Sequence, residues 1–302
     1  DVGGTFTDLL CLNTETHDLL SEKVPSIPGR QWEGVLGALE NLGINYGEIK
    51  GFVHGTTIAT NALLEGKGAK TGLITTKGFR DTLEIGRTRR LIGGLFDIKF
   101  VRPKPLVSRE LRIEVDERAS ADGEILKSVD EDSLALVMEK FRASGVEAVA
   151  VAFINSYRND ENETRALNAL RALGEDIPVC TSTGVVPEKG EFERFSTCVL
   201  NAYLTPVIAG YLKTISDELA GQGITAPVSV MGSNGGVMTL DQAASFAAGT
   251  FLSGPVGGAG GLPGGGGSTQ PGGGGSTPTP TPGGGAPAID PTTGLPLGGS
   301  ST

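Results

Sequence analysis

The first eight residues, DVGGTFTD, constrain the fold of this chain more than any other stretch. Paired glycines allow the backbone to turn tightly and to approach a ligand closely, and the alternating leucines that follow are typical of a strand. Backbone amides and threonine hydroxyls in such a turn can donate hydrogen bonds to phosphate oxygens. The stretch therefore predicts either a hairpin tip that binds nucleotide phosphates or an ordinary glycine-rich turn.

On the phosphate-binding interpretation, Asp1 is the predicted magnesium ligand and belongs to the catalytic centre, because hard cations take oxygen ligands. The predicted phosphate-binding residues of the turn are Gly3, Gly4, Thr5, Phe6 and Thr7. The competing interpretation is that the threonines are present because β-branched residues suit a strand. The two interpretations differ in whether the threonine hydroxyls face a ligand.

Charge and cysteine content argue against several classes of partner. The chain has 25 Lys and Arg against 35 Asp and Glu, so its formal net charge is −10. An acidic chain is poorly suited to bind nucleic acid or an anionic membrane, and no long uninterrupted apolar run predicts a transmembrane helix. The three cysteines are widely separated and form no CxxC pair. They indicate free thiols in a reducing compartment, and we predict a cytoplasmic location.

By composition the chain divides into a folded part and a tail. Residues 264–302 are almost entirely Gly, Pro, Ser and Thr, which cannot bury enough apolar surface to offset the entropy of ordering. Because the first residue already belongs to a motif, we expect the chain to be a piece of something longer. The predicted divisions are a phosphate-binding domain at 1–85, a β-rich insertion at 86–129, an α/β region at 130–262 and a flexible linker or tail at 263–302.

Strand and helix patterns alternate along the folded part, which is typical of an α/β fold with mainly parallel strands. We predict that the first strands share one sheet and that two helices pack against it. The predicted members of this layer are strands 2–12, 19–24, 49–53 and 71–75 and helices 30–42 and 57–65.

Polar residues follow the strand predicted at 49–53, at the strand end where open α/β sheets place ligand-contacting loops. His54 is the catalytic candidate there, and a hydrogen-bonded structural histidine fits the same pattern. Thr56, Thr57 and Asn61 are candidates for substrate binding, or their side chains cap the helix that follows.

Two arginines farther along the chain are also candidates. Arg80 is a possible substrate ligand and Arg87 a possible catalytic residue, because a guanidinium can bind a carboxylate or phosphate through two hydrogen bonds. The alternative for each arginine is a place on a solvated basic face.

Other catalytic classes lack the residues that they need. Two histidines cannot supply the ligands of a zinc amidohydrolase site. The sequence has no GxSxG nucleophile elbow, no Walker A lysine motif and no GxGxxG after a strand.

Five motifs follow one another along the chain. They are DVGGTFTD at 1–8, HGTTIATNALLEGKGAKTGLITTKGFRDTLEIGR at 54–87, EFERFSTCVLNAYLTP at 191–206, SNGG at 233–236 and SGPVGG at 253–258. Together they resemble the ATP-dependent hydantoinase A/5-oxoprolinase family, which also includes subunits of acetone and acetophenone carboxylases. The resemblance covers nearly all of residues 1–262.

The resemblance implies a fold similar to the actin, sugar-kinase and heat-shock ATPases. Two ribonuclease-H-like halves then close over ATP, and each half contributes a phosphate hairpin. It also implies ATP and Mg²⁺ as cofactors, a small cyclic amide or imide such as a hydantoin or 5-oxoproline as substrate, and a second subunit or domain as partner. By the same resemblance, Ser253, Gly254 and Gly257 would bind the cofactor near the second phosphate loop.

The sequence departs from the family pattern in two places. A few strand residues normally precede Asp1, and SGPxGG is normally followed by a second Asp-x-Gly-Gly-Thr hairpin, whereas here the Gly/Pro tail follows. The resemblance therefore implies about half of an ATP site. Two alternatives to a cyclic amide hydrolase stay open: a subunit of an ATP-dependent ketone carboxylase, and a truncated fragment without catalytic activity.

Overall fold

The computed structural model describes residues 1–27, 29–87, 104–174 and 176–251. Contacts divide the chain into two units, and the first unit comprises residues 1–89 and 105–262. The second unit comprises residues 90–104 and 263–302, and Lys104 is its one described residue. The turn at 253–258 and the predicted tail therefore lie outside the described residues.

The first unit is a mixed α/β fold, as the sequence predicts. Its first part contains β1 (Phe6–Leu12), β2 (Leu19–Pro25), α1 (Gln31–Asn41), β3 (Phe52–His54) and α2 (Ile58–Leu64). Its middle part contains β4 (Thr71–Thr76), α3 (Thr82–Ile85), β5 (Arg112–Val115), β6 (Arg118–Ala119), β7 (Ile125–Lys127), α4 (Glu131–Ala143), β8 (Ala148–Ala152), α5 (Glu161–Ala172), β9 (Val179–Thr181) and α6 (Ser182–Val185). Its last part contains α7 (Glu191–Gly221), β10 (Val228–Met231), β11 (Val237–Thr239) and α8 (Leu240–Ser245).

The first strands form a hairpin and a short mixed sheet that meet at one residue. β1 and β2 pair antiparallel, with Phe6 opposite Pro25 and Leu12 opposite Leu19. β3 pairs in parallel with β10, which pairs antiparallel with β11. Val2 bridges both groups, because it pairs antiparallel with Thr7 and in parallel with Thr56. The amino-terminal residues thus join the hairpin to the strand that ends at His54.

A second sheet is wholly parallel and has the order β5-β4-β8-β9. All five residues of β8 are buried, which fits a strand that is covered on both faces. The prediction that strands 49–53 and 71–75 belong to the hairpin's sheet is wrong, because β3 pairs with β10, and β4 pairs with β5 and β8. In the predicted insertion, β5 joins this sheet, and β6 and β7 form a two-stranded hairpin. The proposed domain boundaries remain a prediction.

The helix α7 connects the two sheet systems. It has 31 residues and runs through Pro206 without ending. Its first turns bury Phe195 and Val199 in the core of the parallel sheet. Its middle packs beside α2 and β10, and its last turns bury Ile215 and Leu219 beside α1 and β3. One helix therefore contributes side chains to all three apolar cores in the described part of the chain.

Among the described residues, α7 is the single helix that is long and apolar enough to cross a membrane. Half of its apolar stretch is buried inside the fold. A helix that is apolar all round is expected where it crosses the interior of a protein. We interpret α7 as a core helix for that reason.

Gly72 in β4 provides a test of the packing between the parallel sheet and α4. A Cβ added there would lie 2.6 Å from Cζ of Phe141, which is fully buried. Gly72→Ala should lower the free energy of unfolding by about 1–3 kcal/mol through overpacking. Urea denaturation measures the change.

Gly210→Ala is the matched control. Gly210 lies exposed on α7, and an added Cβ would meet no atom within 4 Å. Alanine suits a helix better than glycine, so this variant should be unchanged or more stable by about 0.5–1 kcal/mol. Equal stability of the two variants would contradict the packing of Phe141 against β4.

Candidate functional site

The tip of the amino-terminal turn is tight and open to solvent. The amide of Gly3 donates a hydrogen bond of 3.0 Å to the carbonyl of Phe6, which closes the turn. Gly4 and Thr5 stand at the tip, and both are exposed. A Cβ on Gly3 would lie 3.1 Å from the carbonyl oxygen of Phe6, so a larger residue would strain the turn. The tip can therefore present backbone amides and the Thr5 hydroxyl to a ligand.

The turn is held against the loop that follows β3. The amide of Val2 donates to the carbonyl of Gly55 at 2.8 Å, and the amide of Thr57 donates to the carbonyl of Val2 at 3.3 Å. Because Gly55 directly follows His54, the turn and this loop lie side by side. These bonds place the turn at the same edge of the structure as the loop that follows β3.

Asp1 has a buried carboxylate oxygen without a partner. Its Oδ1 is shielded from solvent and has no hydrogen bond among the described residues. A Cβ on Gly55 would lie 3.2 Å from this oxygen, so the absence of a side chain at Gly55 makes room for the carboxylate. An unpartnered buried carboxylate oxygen is costly unless another group, such as a cation, satisfies it.

Thr7 faces the interior and not the tip. It is almost fully buried, and its hydroxyl lies 2.9 Å from the hydroxyl of Ser26. On its other side, a Cβ on Gly34 of α1 would lie 2.8 Å from the Thr7 hydroxyl oxygen. The hydroxyl of Thr7 therefore bonds to the residue that follows β2 and lies against α1, which matches the structural alternative for this threonine.

The residues after His54 cap α2 and border the tip. The amide of Ile58 donates to the hydroxyl of buried Thr56 at 3.2 Å. Nδ2 of Asn61 donates to the hydroxyl of Thr57 at 3.4 Å. The same Nδ2 lies 3.8 Å from the position of a Cβ on Gly4. The capping interpretation thus fits Thr56, whereas Asn61 also lies close enough to the tip to contact a ligand there.

His54 is a buried, hydrogen-bonded side chain. Its Nε2 lies 2.7 Å from the hydroxyl of Tyr211 on α7, and its ring stacks on Phe52. Burial is the main cause that lowers the pKa of His54 to about 3. A neutral imidazole of this kind is a poor general base at neutral pH. The structure therefore favours the structural interpretation, in which His54 anchors the loop beside Asp1 to α7.

His54 also makes stability depend on pH. Its pKa is lowered from the ordinary value of 6.5 to about 3 in the folded protein. Between these values the unfolded chain binds a proton that the folded chain excludes, so stability falls as pH decreases. We expect wild type to lose about 1 kcal/mol per pH unit more than His54→Gln between pH 6 and pH 5.

The measurement is urea unfolding at several pH values. Carboxylates contribute to the pH dependence of both proteins, and the comparison with His54→Gln removes that common part. His17→Gln is the control, because His17 is exposed in the turn between β1 and β2. Parallel pH profiles for wild type and His54→Gln would show that His54 takes up a proton in the folded state.

The two candidate arginines lie at a different place. Arg87 forms an ion pair with Glu193 in the first turn of α7, whereas His54 contacts Tyr211 of the same helix. Glu193 and Tyr211 are 18 residues apart on α7, which is about 27 Å along the helix axis. Arg80 follows β4, and its amide donates to Glu114. Arg87 thus lies outside the site that contains Asp1, and the contacts of Arg80 tie it to the parallel sheet.

Tyr211 and Lys23 are features of this region that sequence patterns miss. Tyr211 is 157 residues from His54 in the chain, and only the fold brings them together. Nζ of Lys23 lies 3.0 Å from Oδ1 of Asp8 and 5.1 Å from the ring centre of Phe6. The register of the hairpin places Lys23 opposite Asp8. In the sequence, the feature that indicates Lys23 is its position in β2, the strand that pairs with β1.

A crevice of about 740 Å³ opens beside Asp1. Leu10 of β1 and Val53 of β3 are among its lining residues, and Lys23 and Asp8 also face it. Among the strands that the structure describes, β1 has β2 as its partner strand and β3 has β10, so the crevice lies between two strand edges. Its walls combine apolar residues such as Leu10 and Val53 with the polar residues Asp1, Asp8 and Lys23.

The carboxyl edge of the parallel sheet is filled by the protein itself. In the order β5-β4-β8-β9, ligands of open α/β sheets are expected between β4 and β8, where the connections diverge. There the amide of Ile154 donates to Thr76 at 2.9 Å, and Thr76 donates to Glu117. Glu163 accepts from the amide of Phe153 and pairs with Arg194. This buried network occupies the usual ligand position, so the candidate site is the one at Asp1.

The sequence matches two family profiles. Residues 1–174 match the hydantoinase/oxoprolinase N-terminal region, and residues 194–265 match the hydantoinase/oxoprolinase profile. The chain belongs to the hydantoinase/oxoprolinase family. The resemblance inferred from the motifs is confirmed.

Known members of this family are much longer than the chain. The caprolactamase alpha subunit of Pseudomonas jessenii is 35% identical over 245 residues, an alignment that covers 78% of the chain and 35% of the subunit. The crystal structure of the ATP-dependent caprolactamase from Pseudomonas jessenii matches with a TM-score of 0.75 and 33% identity. A nucleotide-free acetone carboxylase structure, from work on ATP-dependent acetone carboxylation, matches with a TM-score of 0.74 and 27% identity. Each structural match covers 85% of the chain and 38% of the other chain.

Proposed function

We propose that this chain supplies the first phosphate-binding half of an enzyme that uses ATP to open a cyclic amide or imide. Hydantoins, lactams and 5-oxoproline are the substrate class. The observation that carries the proposal is the position of Asp1: its unpartnered, buried Oδ1 lies beside an exposed glycine turn. Family membership and the resemblance to ATP-dependent enzymes support ATP as the nucleotide.

The donor set at Asp1 fits a magnesium ion. Mg²⁺ is usually held by one or two carboxylates together with phosphate oxygens and water. The described residues contain no group of three or more His, Cys, Asp or Glu that could enclose a metal. A single carboxylate beside a phosphate-binding turn agrees with that requirement. When bound, Mg²⁺ would offset the negative charge of the phosphates.

The residues at the tip would bind and orient the phosphates. Amides of Gly4 and Thr5 and the Thr5 hydroxyl are exposed at a closed turn, so they can donate to phosphate oxygens with little rearrangement. Asn61, next to Gly4, adds a side-chain donor at the same place. His54 and Tyr211 would act by holding the loop that contacts Asp1 and Val2, and not by transferring a proton.

The chemical purpose of ATP in such a reaction is activation. An amide carbonyl is a weak electrophile, and transfer of the γ-phosphoryl group to its oxygen creates a leaving group. Water can then attack the same carbon, and the ring C–N bond breaks with its electron pair going to the nitrogen, which takes up a proton. This leaves a ring-opened acyl phosphate. A second water attacks the acyl carbon, the C–O bond to phosphate breaks, and inorganic phosphate leaves the free carboxylate. The substrate's carbonyl oxygen leaves with the phosphate in this scheme.

A ketone carboxylase subunit is the second candidate. The acetone carboxylase structure matches the chain about as well as the caprolactamase structure does. The same phosphate turn would serve an enolisable ketone with bicarbonate. In either case the names of the relatives favour a second subunit or domain as partner, and we propose a cytoplasmic location on the basis of free cysteines.

Transfer of the carbonyl oxygen is the sharpest test of the reaction. A complete family member that contains this region should convert a lactam labelled with ¹⁸O at its carbonyl, and the label should appear in inorganic phosphate. Assays with acetone and bicarbonate form the parallel arm. Ring opening without label in phosphate would contradict carbonyl phosphorylation, and ATP-dependent carboxylation alone would favour the second candidate.

The role of Asp1 can be tested in a full-length relative. Replacing the aspartate aligned with Asp1 by Ala should reduce ATP-dependent turnover by about 100-fold or more, because the magnesium ion that binds the phosphates would lose its carboxylate ligand. The matched control is the residue aligned with Asp18, a carboxylate in the turn at the other end of the hairpin. Nearly full turnover after loss of the Asp1 carboxylate would contradict its assignment.

We also predict that this chain alone binds ATP weakly or not at all. Phosphoryl transfer requires the γ-phosphate to be positioned between preorganised donors, and one phosphate turn provides donors on one side. Calorimetry with Mg²⁺ and ATP measures this directly. Micromolar, magnesium-dependent binding that is lost in Asp1→Ala and kept in Asp18→Ala would contradict the half-site interpretation.

A further inference from the structure

Two cysteines from different elements meet where α7 crosses the parallel sheet. Cys180 lies in the edge strand β9 and Cys198 in the second turn of α7, and their sulfur atoms are 3.7 Å apart. The thiol of Cys180 also lies 3.5 Å from the carbonyl of Cys198. A disulfide needs a sulfur–sulfur distance of about 2.0 Å, so a small side-chain movement would connect them.

The two thiols differ in access to solvent. Cys198 is fully buried, whereas Cys180 is partly exposed. Cys180 also lines a pocket of about 360 Å³, together with Ile177, Pro178 and Thr205. A small oxidant that enters this pocket can therefore reach Cys180, whereas Cys198 is fully buried and does not line the pocket.

The electrostatics of the pair give the two thiols separate roles. The hydrogen bond with Cys198 lowers the pKa of the Cys180 thiol, while burial raises the pKa of the Cys198 thiol. The thiolate is the nucleophilic form of cysteine. The exposed member of the pair is thus the one that reacts first, and the buried member is placed to resolve the product.

We propose that Cys180 and Cys198 form a redox site in which a small peroxide converts the two thiols into a reversible disulfide between β9 and α7. The Cys180 thiolate attacks one peroxide oxygen, an S–O bond forms, the O–O bond breaks, and water leaves. The sulfur of Cys198 then attacks the sulfur of Cys180, the S–O bond breaks, and a second water leaves. Two electrons pass from the thiols to the peroxide, and an external thiol such as glutathione reverses the reaction by becoming a disulfide itself.

The third cysteine gives an internal comparison. Cys11 lies in β1, part of the separate hairpin, and it is partly exposed like Cys180. Among the described residues, Cys180 is the partly exposed cysteine that has a second thiol within 4 Å. Exposure alone therefore predicts oxidation of both Cys11 and Cys180. The short distance between Cys180 and Cys198 predicts instead that these two form a disulfide and that Cys11 does not.

The test is oxidation of the folded chain with hydrogen peroxide, followed by alkylation, trypsin digestion and mass spectrometry. Peptides 172–189 and 195–213 should appear linked, with a mass lower by two hydrogen atoms than their sum, and dithiothreitol should separate them. Peptide 1–23, which holds Cys11, should stay outside this product. Unfolded protein treated in the same way should lose the selectivity.

Stability gives an independent readout. Oxidation should raise Tm by about 5 °C, because the disulfide closes a loop of roughly 20 residues. Cys11→Ser should keep this rise, whereas Cys180→Ser and Cys198→Ser should abolish it. If either variant fails to fold, the peptide map of wild type still decides.

Two outcomes would overturn the proposal. In the first, Cys180 is oxidised to sulfinic acid while the Cys198 thiol remains intact. In the second, Cys180 and Cys198 both stay reduced at peroxide concentrations that oxidise Cys11. Either result would show that the buried sulfur does not act as a resolving thiol.

Discussion

The packing of α7 against three apolar cores is the constraint on which the described structure depends. The helix contributes to the core of the parallel sheet, to the core beside α2 and β10, and to the core beside α1 and β3. Neither the hairpin nor the short mixed sheet is large enough to form an extensive apolar core alone. Because one rigid helix serves both sheet systems, its packing fixes the position of one relative to the other.

Contacts with α7 determine the geometry of the candidate site. Tyr211 of α7 bonds to His54, the carbonyl of the next residue, Gly55, accepts a hydrogen bond from the amide of Val2, and the carboxylate of Asp1 lies against Gly55. Each contact is a single hydrogen bond or close approach. Together they position an acidic side chain beside an exposed turn without any disulfide or metal cage among the described residues. The catalytic carboxylate would thus be oriented from a distance through backbone contacts.

The parallel sheet and the hairpin differ in the buried polar groups at their edges. In the parallel sheet, Glu163 and Arg194 form a buried ion pair, and Glu117 accepts a hydrogen bond from Asn162. Two buried atoms there, Oγ1 of Thr75 and Nε of Arg194, have no hydrogen-bond partner. At the hairpin, the unpartnered atom is a carboxylate oxygen, and it lies beside an exposed glycine turn. A carboxylate oxygen is the type of ligand that hard cations take, so the chemistry of this atom and of its neighbours, more than pocket size, distinguishes the candidate site.

Local patterns in the sequence determined the secondary structure and the amino-terminal glycine turn. The apolar run before His54, the helix at α2 and the strands β9 and β10 follow from short-range periodicity, and the glycine pair specifies the turn at Gly3. Composition could not determine which strands share a sheet, because the apolar residues of β4 would suit either of the two sheets. Tertiary structure alone decided that His54 is buried against Tyr211, that the hydroxyl of Thr7 lies against α1 and that Arg87 pairs with Glu193. Those outcomes depend on partners such as Tyr211, Ser26 and Glu193, which are distant in the chain and become neighbours only when α7 and the hairpin pack.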